Sequence, residues 1–119
     1  MKSEALRSTI WIINADQWPR AMLRAELIER GFDAVGYMTV RDAIDSLITR
    51  KPDAIIVDAK GQPAEQVARL TKIGVPVFVV AGHGDEFVDA PYTEVIKRPV
   101  TLGELADRVV SNPGRESEK

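Results

Sequence analysis

Residues 52–58 read Pro52-Asp53-Ala54-Ile55-Ile56-Val57-Asp58. Four consecutive apolar residues without polar alternation fit a strand buried on both faces, as in a parallel sheet covered by helices. The run closes on a carboxylate, so Asp58 is expected at the carboxyl end of a central strand. Two further runs have the same character, Ile10-Trp11-Ile12-Ile13 upstream and Val77-Phe78-Val79-Val80-Ala81 downstream. Val95-Ile96 is a shorter fourth, and Ala34-Val35-Gly36 a weaker fifth.

Helical periodicity fills the gaps between these runs. Trp18, Met22, Ala25 and Ile28 form one apolar strip, with Leu23 and Leu27 beside it and Arg30-Gly31 as a stop signal. Val40, Ala43, Ile44, Leu47 and Ile48 follow i, i+3, i+4, i+7, i+8, and Thr39 is placed to cap that helix, with Asp42 three residues on. Pro63 is placed to open a short helix through Val67 and Leu70. Thr101 and Glu104 form a capping-box pair ahead of Leu105, Ala106 and Val109. Between Ala81 and Glu94 there is little periodicity, and Asp85-Glu86-Phe87-Val88 supports about one turn at most. Strand and helix thus alternate five times, with one helix shortened or missing. This predicts an α/β doubly wound three-layer sandwich on a parallel sheet.

Composition limits the chemistry. The chain has 119 residues, 16 Lys+Arg against 18 Asp+Glu, a net charge of −2, no cysteine and a single histidine. One domain is expected over residues 1–119, with a core at about 8–111 and a polar tail at 112–119. Without cysteine there is no disulfide framework and no thiolate site. Balanced charge argues against a nucleic-acid module. No run is long enough for a signal peptide or a membrane span, which points to the cytoplasm. His83, between two glycines, reads as an exposed loop residue, and Gly82-His83-Gly84 lacks the following Lys-Ser/Thr of a P-loop.

In doubly wound sheets ligands sit beyond the carboxyl ends of the strands. The residues to weigh are therefore Asn14-Ala15-Asp16, Asp58, Ala81-Gly82 and Lys97-Arg98-Pro99. A carboxylate in such a crevice is suited to accept a phosphoryl group as an acyl phosphate. Transfer of this kind depends on positioning and charge neutralisation, normally through Mg²⁺ held by oxygen ligands. The plain alternative is that Asp58 caps a loop. Trp18 lies near the crevice rim, and Glu26, Glu29, Arg24 and Arg30 read as a solvated helix face.

Taken together, Pro52–Asp58, Val75-Pro76-Val77-Phe78-Val79-Val80 and Arg98-Pro99 before a capped last helix resemble the receiver domain of two-component response regulators. The resemblance runs from about Ser8 to Val110. It implies a flavodoxin-like sheet in strand order 2-1-3-4-5, with Asp58 at the phospho-acceptor position. It also implies signalling rather than enzymatic work, beyond phosphoryl acceptance itself. The departures from the family pattern are specific. Its acidic pair after strand one is Asn14 and Ala15, with Asp16 one step further. Its Ser or Thr after strand four is Ala81, and its Lys before the proline is Arg98, with Lys97 adjacent. Its switching aromatic on strand five is Val95, and Tyr92 is out of register.

Mg²⁺ binding through Asp16 and Asp58, with Asn14 as a neutral oxygen, is therefore expected to be weak. Arg98 is expected to hold Asp58 in a bidentate pair instead, and the Arg98–Pro99 bond is a cis candidate. The expectation is a stand-alone, degenerate receiver that docks to another signalling protein, a histidine kinase or a downstream partner, or forms a homodimer. Docking is expected through strands four and five and the last helix, without nucleic acid or membrane insertion. The competing reading is a small-molecule or anion-binding flavodoxin-like module. No Gly-rich loop follows strand one to support it, and a hydrolase lacks an activated nucleophile.

Overall fold

The computed structural model describes residues 8–111, so the expected tail at 112–119 lies outside the described residues. Five strands form one sheet in the order β2-β1-β3-β4-β5: β1 (Thr9–Ile13), β2 (Asp33–Tyr37), β3 (Ala54–Asp58), β4 (Val77–Ala81) and β5 (Glu94–Lys97). Every pairing is parallel. Among the described residues four α-helices accompany them: α1 (Gln17–Glu29), α2 (Val40–Asp45), α3 (Ala64–Arg69) and α4 (Leu102–Val110). α2 and α3 each continue into a 3-10 turn, at Ser46–Ile48 and Leu70–Ile73.

The strands alternate between two cores, because successive side chains leave opposite faces. Ile10, Ile12, Ile56, Phe78 and Val80 meet Leu23 and Leu27 of α1 and Leu105, Ala106 and Val109 of α4. Trp11, Ile13, Ile55, Val57, Val77 and Val79 meet Val40 and Ala43 of α2 and Val67 and Leu70 on the other side. The capping reading holds at two helices. Thr39 Oγ1 accepts from the Asp42 amide, and Thr101 with Glu104 closes a full capping box. Pro63 stands one residue before its helix, as the N-cap, rather than inside the first turn.

Three expectations are corrected. Ile48 is 93% exposed, because α2 tightens into the 3-10 turn after Asp45 and the i+8 position swings off the core face. On α1 the sheet takes the narrow pair Leu23 and Leu27, and leaves the strip that begins at Trp18 in solvent. Arg24 and Arg30 are not merely solvated. Arg24 Nε donates to the Ala34 carbonyl at the sheet edge (2.8 Å), and Arg30 joins Glu26 to Asp107 of α4.

The connection from β4 to β5 contains no helix, and not even one turn at Asp85–Val88. Phe87 and Tyr92 meet edge to face there and pack onto the α2/α3-side core. The Tyr92 hydroxyl donates to the Val88 carbonyl (2.7 Å). Burial, and then Asp89, push its pKa up, so it remains a neutral donor.

Candidate functional site

The carboxyl ends of β1, β3, β4 and β5 bring the expected residues to one edge of the sheet. Asp58 ends β3, opposite Val80, and Ala81 pairs with Lys97 across β4 and β5. The chain leaves β5 through a cis Arg98–Pro99 bond, and the Arg98 amide donates to the Ala81 carbonyl (2.9 Å). This hydrogen bond to the Ala81 carbonyl holds Arg98 beside the end of β4, and its side chain reaches across to β3.

One Arg98 nitrogen donates to Asp58 Oδ2 at 2.6 Å. Its second terminal nitrogen goes to Asp85 Oδ2 and not to Asp58. The expected bidentate pair is therefore a bridge between two carboxylates. A planar guanidinium with its donors in a fixed fork spans two acceptors in this way, and an ammonium does not. The side chains are 30% exposed for Arg98, 16% for Asp58 and 17% for Asp85, so the cluster is partly shielded from water.

Each carboxylate also has a backbone donor. Lys60 N–H donates to Asp58 Oδ1 (3.0 Å), a local turn of the kind Asp favours, so the loop-capping reading of Asp58 holds alongside the ion pair. Gly82 N–H donates to Asp85 Oδ2 (2.7 Å). A Cβ at Gly82 would stand 2.9 Å from an Arg98 nitrogen, so a larger residue there would require the guanidinium to shift.

Burial alone would lower the Arg98 pKa. Asp58 and then Asp85 outweigh it and raise the value, so Arg98 stays charged. The Gly82 amide, followed by Arg98 and Lys60, holds the Asp85 carboxyl below its ordinary value, against the opposing effect of burial. A carboxyl whose pKa is lowered by folding stabilises the fold above its unfolded pKa and loses that contribution as pH falls through the folded value. The Gly82–Asp85 strap is therefore expected to hold through neutral and mildly acidic pH and to release only below about pH 4. Stability measured from pH 7 to pH 2 should fall less steeply in Asp85→Asn than in the parent chain. Equal acid limbs would count against the strap.

At the end of β1 the arrangement is different. Asn14 Oδ1 turns back to the Asp16 N–H (2.9 Å), and the Asn14 carbonyl takes the Arg20 guanidinium (2.7 Å). Asp16 is exposed at the N-cap of α1 and makes no side-chain cap. The Ala15 methyl lies against Gly61, where an added Cβ would meet it at 3.1 Å. Gly61 sits at φ +80, so glycine suits it both for its backbone and for this contact. Among the described residues no group of three or more Asp, Glu or His side chains is gathered as a metal site requires.

Lys97 is exposed and does not join the Arg98 cluster, and Trp18 is 77% exposed rather than folded over the crevice. Ala81 presents a buried methyl group at the end of β4. His83 is exposed, as expected.

Sequence reasoning missed Asp85, which lies in a stretch without periodicity, and Gln62. Gln62 is buried, accepts from the Val40 amide (3.1 Å) and donates to the Met38 carbonyl (2.9 Å), and so ties the loop after Asp58 to the start of α2. The one available signal was the acidic residue three positions after Gly82.

No protein-family model matches the sequence, and no curated protein matches it. Many solved receiver domains share its fold. The N-terminal domain of a response regulator/sensory box/GGDEF three-domain protein from Carboxydothermus hydrogenoformans superposes with a TM-score of 0.76 at 16% identity, over 92% of this chain and 98% of that one. A response regulator receiver domain protein from Clostridium thermocellum gives 0.74 at 17% identity, over 92% and 97%. One from Methylobacillus flagellatus gives 0.72 at 21% identity, over 88% and 98%. The chain has the fold of a response regulator receiver domain, a flavodoxin-like sheet in the order 2-1-3-4-5.

Proposed function

We propose that this chain is a receiver-type signalling module in which Asp58 occupies the phospho-acceptor position but is held by Arg98, and which works by docking to another protein. The observation that carries the reading is the Asp58–Arg98–Asp85 bridge, with the remaining Asp58 oxygen satisfied by Lys60 N–H. The Asp58 carboxylate is thus neutralised by the protein itself. A phosphoryl donor would have to displace a charge-assisted hydrogen bond, of the strong class.

The donor set at the end of β1 does not fit Mg²⁺. That ion needs oxygen ligands in near-octahedral geometry and local negative charge. Here Asn14 offers an amide turned to a backbone N–H, Ala15 a methyl group, and Asp16 a single exposed carboxylate one step further. Switching is also impaired. A modification shifts a two-state equilibrium only through differential contacts with the two states, and Ala81 offers no hydroxyl to a phosphoryl group. Val95 is no aromatic rotor, and Tyr92 is engaged by Phe87 and the Val88 carbonyl.

Docking is assigned to the face of β5 and α4. An open groove of about 520 Å³ lies there between Val95, Lys97, Val100, Glu104, Asp107 and Arg108. An anion-binding role is less well supported, because Arg98 is already balanced by two carboxylates.

Incubation with acetyl phosphate and Mg²⁺, followed by intact-mass measurement, tests the reading. No gain of about 80 Da is expected, since in-line phosphoryl transfer relies on a metal ion to neutralise the charge of the transferring group, and Asp58 is already engaged by Arg98. A gain that Asp58→Ala removes would overturn it.

A further inference from the structure

The outward face of α1 breaks the pattern of a surface helix, whose apolar residues normally turn to the core. Leu23 and Leu27 do so, yet the opposite face is apolar as well. Trp18 is 77% exposed, Met22 48% and Ile28 44%, and Ala21 and Ala25 stand exposed between them. Glu29 is the charged residue at the flank of that face, and it is exposed.

The spacing carries the inference. Trp18, Ala21, Ala25 and Ile28 are separated by three, four and three residues, which is the a-d-a-d spacing of a two-stranded helical seam. In that register Arg24 is a g position and Glu29 the e position five residues on. When two copies of α1 lie parallel, Arg24 of one faces Glu29 of the other, and the reverse contact forms symmetrically. The Arg24 Nε is committed to the Ala34 carbonyl, which leaves its terminal amino groups as donors and fixes the base of the side chain at that flank. Alanines at the two central layers let the helices approach closely, while Trp18 and Ile28 fill the ends.

We propose that α1 is a self-association seam through which two copies of this chain pair in parallel, with Trp18, Ala21, Ala25 and Ile28 in the centre and Arg24–Glu29 ion pairs at the rims. Two-fold symmetry makes the contact self-complementary and closed. A single helix pair with less than four full turns on each side belongs to the small, transient class of interface, so the dimer is weak and concentration-dependent. The proposal is independent of whether Asp58 is ever phosphorylated.

Sedimentation velocity on the full chain, from about 10 µM to about 1 mM, should show a sedimentation coefficient that rises with concentration, as expected for a weak equilibrium. The Trp18 emission should shift to the blue in parallel. Trp18→Ser and Ala25→Glu alter side chains that face solvent in the monomer, so they are expected to melt like the parent while remaining monomeric throughout the range. Glu29→Arg and Arg24→Glu should each weaken the dimer by placing like charges across the seam. An equimolar mixture of these two variants should recover it, because each rim then pairs opposite signs. In an antiparallel contact like flanks would already meet in the parent chain, so neither single reversal would weaken that dimer, and an association indifferent to both rules the parallel seam out. A parent chain that stays monomeric at the highest concentration overturns the proposal. So does a dimer indifferent to Trp18→Ser and Ala25→Glu, or a Trp18 emission already shifted at every concentration.

Discussion

Arg98→Met is expected to lower the stability of the fold by about 1–3 kcal/mol, and to do so by freeing the β4–β5 connection rather than by opening the core. Removing one partner of a fully buried ion pair costs about 3–5 kcal/mol, because the charge left behind has lost its solvent and its partner. Here the side chains retain 16–30% exposure, which places the cost below that range. Two carboxylates remain in this case, Asp58 and Asp85, each with a single backbone donor and no cation between them. Urea denaturation should show the lower midpoint. Hydrogen exchange should show faster exchange at the Gly82 and Asp85 amides, while the amides of β1 and β3 keep their protection relative to global unfolding. The double variant Asp58→Asn with Arg98→Met should recover part of the loss, since it no longer leaves two negative charges facing each other. A midpoint unchanged by Arg98→Met would show that the bridge contributes nothing.

The second large effect is a gain. Asn14→Asp with Ala15→Asp, combined with Arg98→Lys, is expected to raise the Mg²⁺ affinity of the chain steeply above that of the parent. The two new carboxylates stand at the end of β1 beside Asp58, which supplies the charge and oxygen ligands that Mg²⁺ demands. The lysine still offers a positive charge but not the fork that spans Asp58 and Asp85, so an Asp58 oxygen is released. Isothermal titration with MgCl₂, and acetyl-phosphate labelling with mass detection, read the two consequences separately. Binding without labelling would place the remaining block at Ala81, where a hydroxyl is absent. Failure of the triple variant to bind Mg²⁺, with its fold intact by circular dichroism, would remove the electrostatic explanation of why this site differs from a phosphorylated one.

These two experiments concern a site that was only half visible beforehand. Asp58 and Arg98 could be placed because each stands at the end of an apolar run, and a doubly wound sheet collects strand ends at one edge. Their contact followed from that placement. Asp85 could not be placed in the same way. It lies in a connection with neither a helical nor a strand period, and only the folded course of residues 82–93 carries it back to Arg98. Gln62 was hidden for a related reason. A glutamine in a loop reads as solvent-facing, and its burial depends on two backbone groups of another element, the Val40 amide and the Met38 carbonyl.

The amino-acid order alone determined the strands, their parallel arrangement and the caps at Thr39 and Thr101, because each is a local matter of period and of donors needing acceptors. Which side of α1 faces the sheet was a tertiary decision. Two apolar strips share that helix, and periodicity names a face without giving its direction. The sheet selected Leu23 and Leu27, with Arg20 and Arg24 beside them satisfying the carbonyls of Asn14 and Ala34, and turned Trp18 outward. The partition of Arg98 between two acids was decided in the same way, since only the folded β4–β5 connection sets a second carboxylate within reach of its fork.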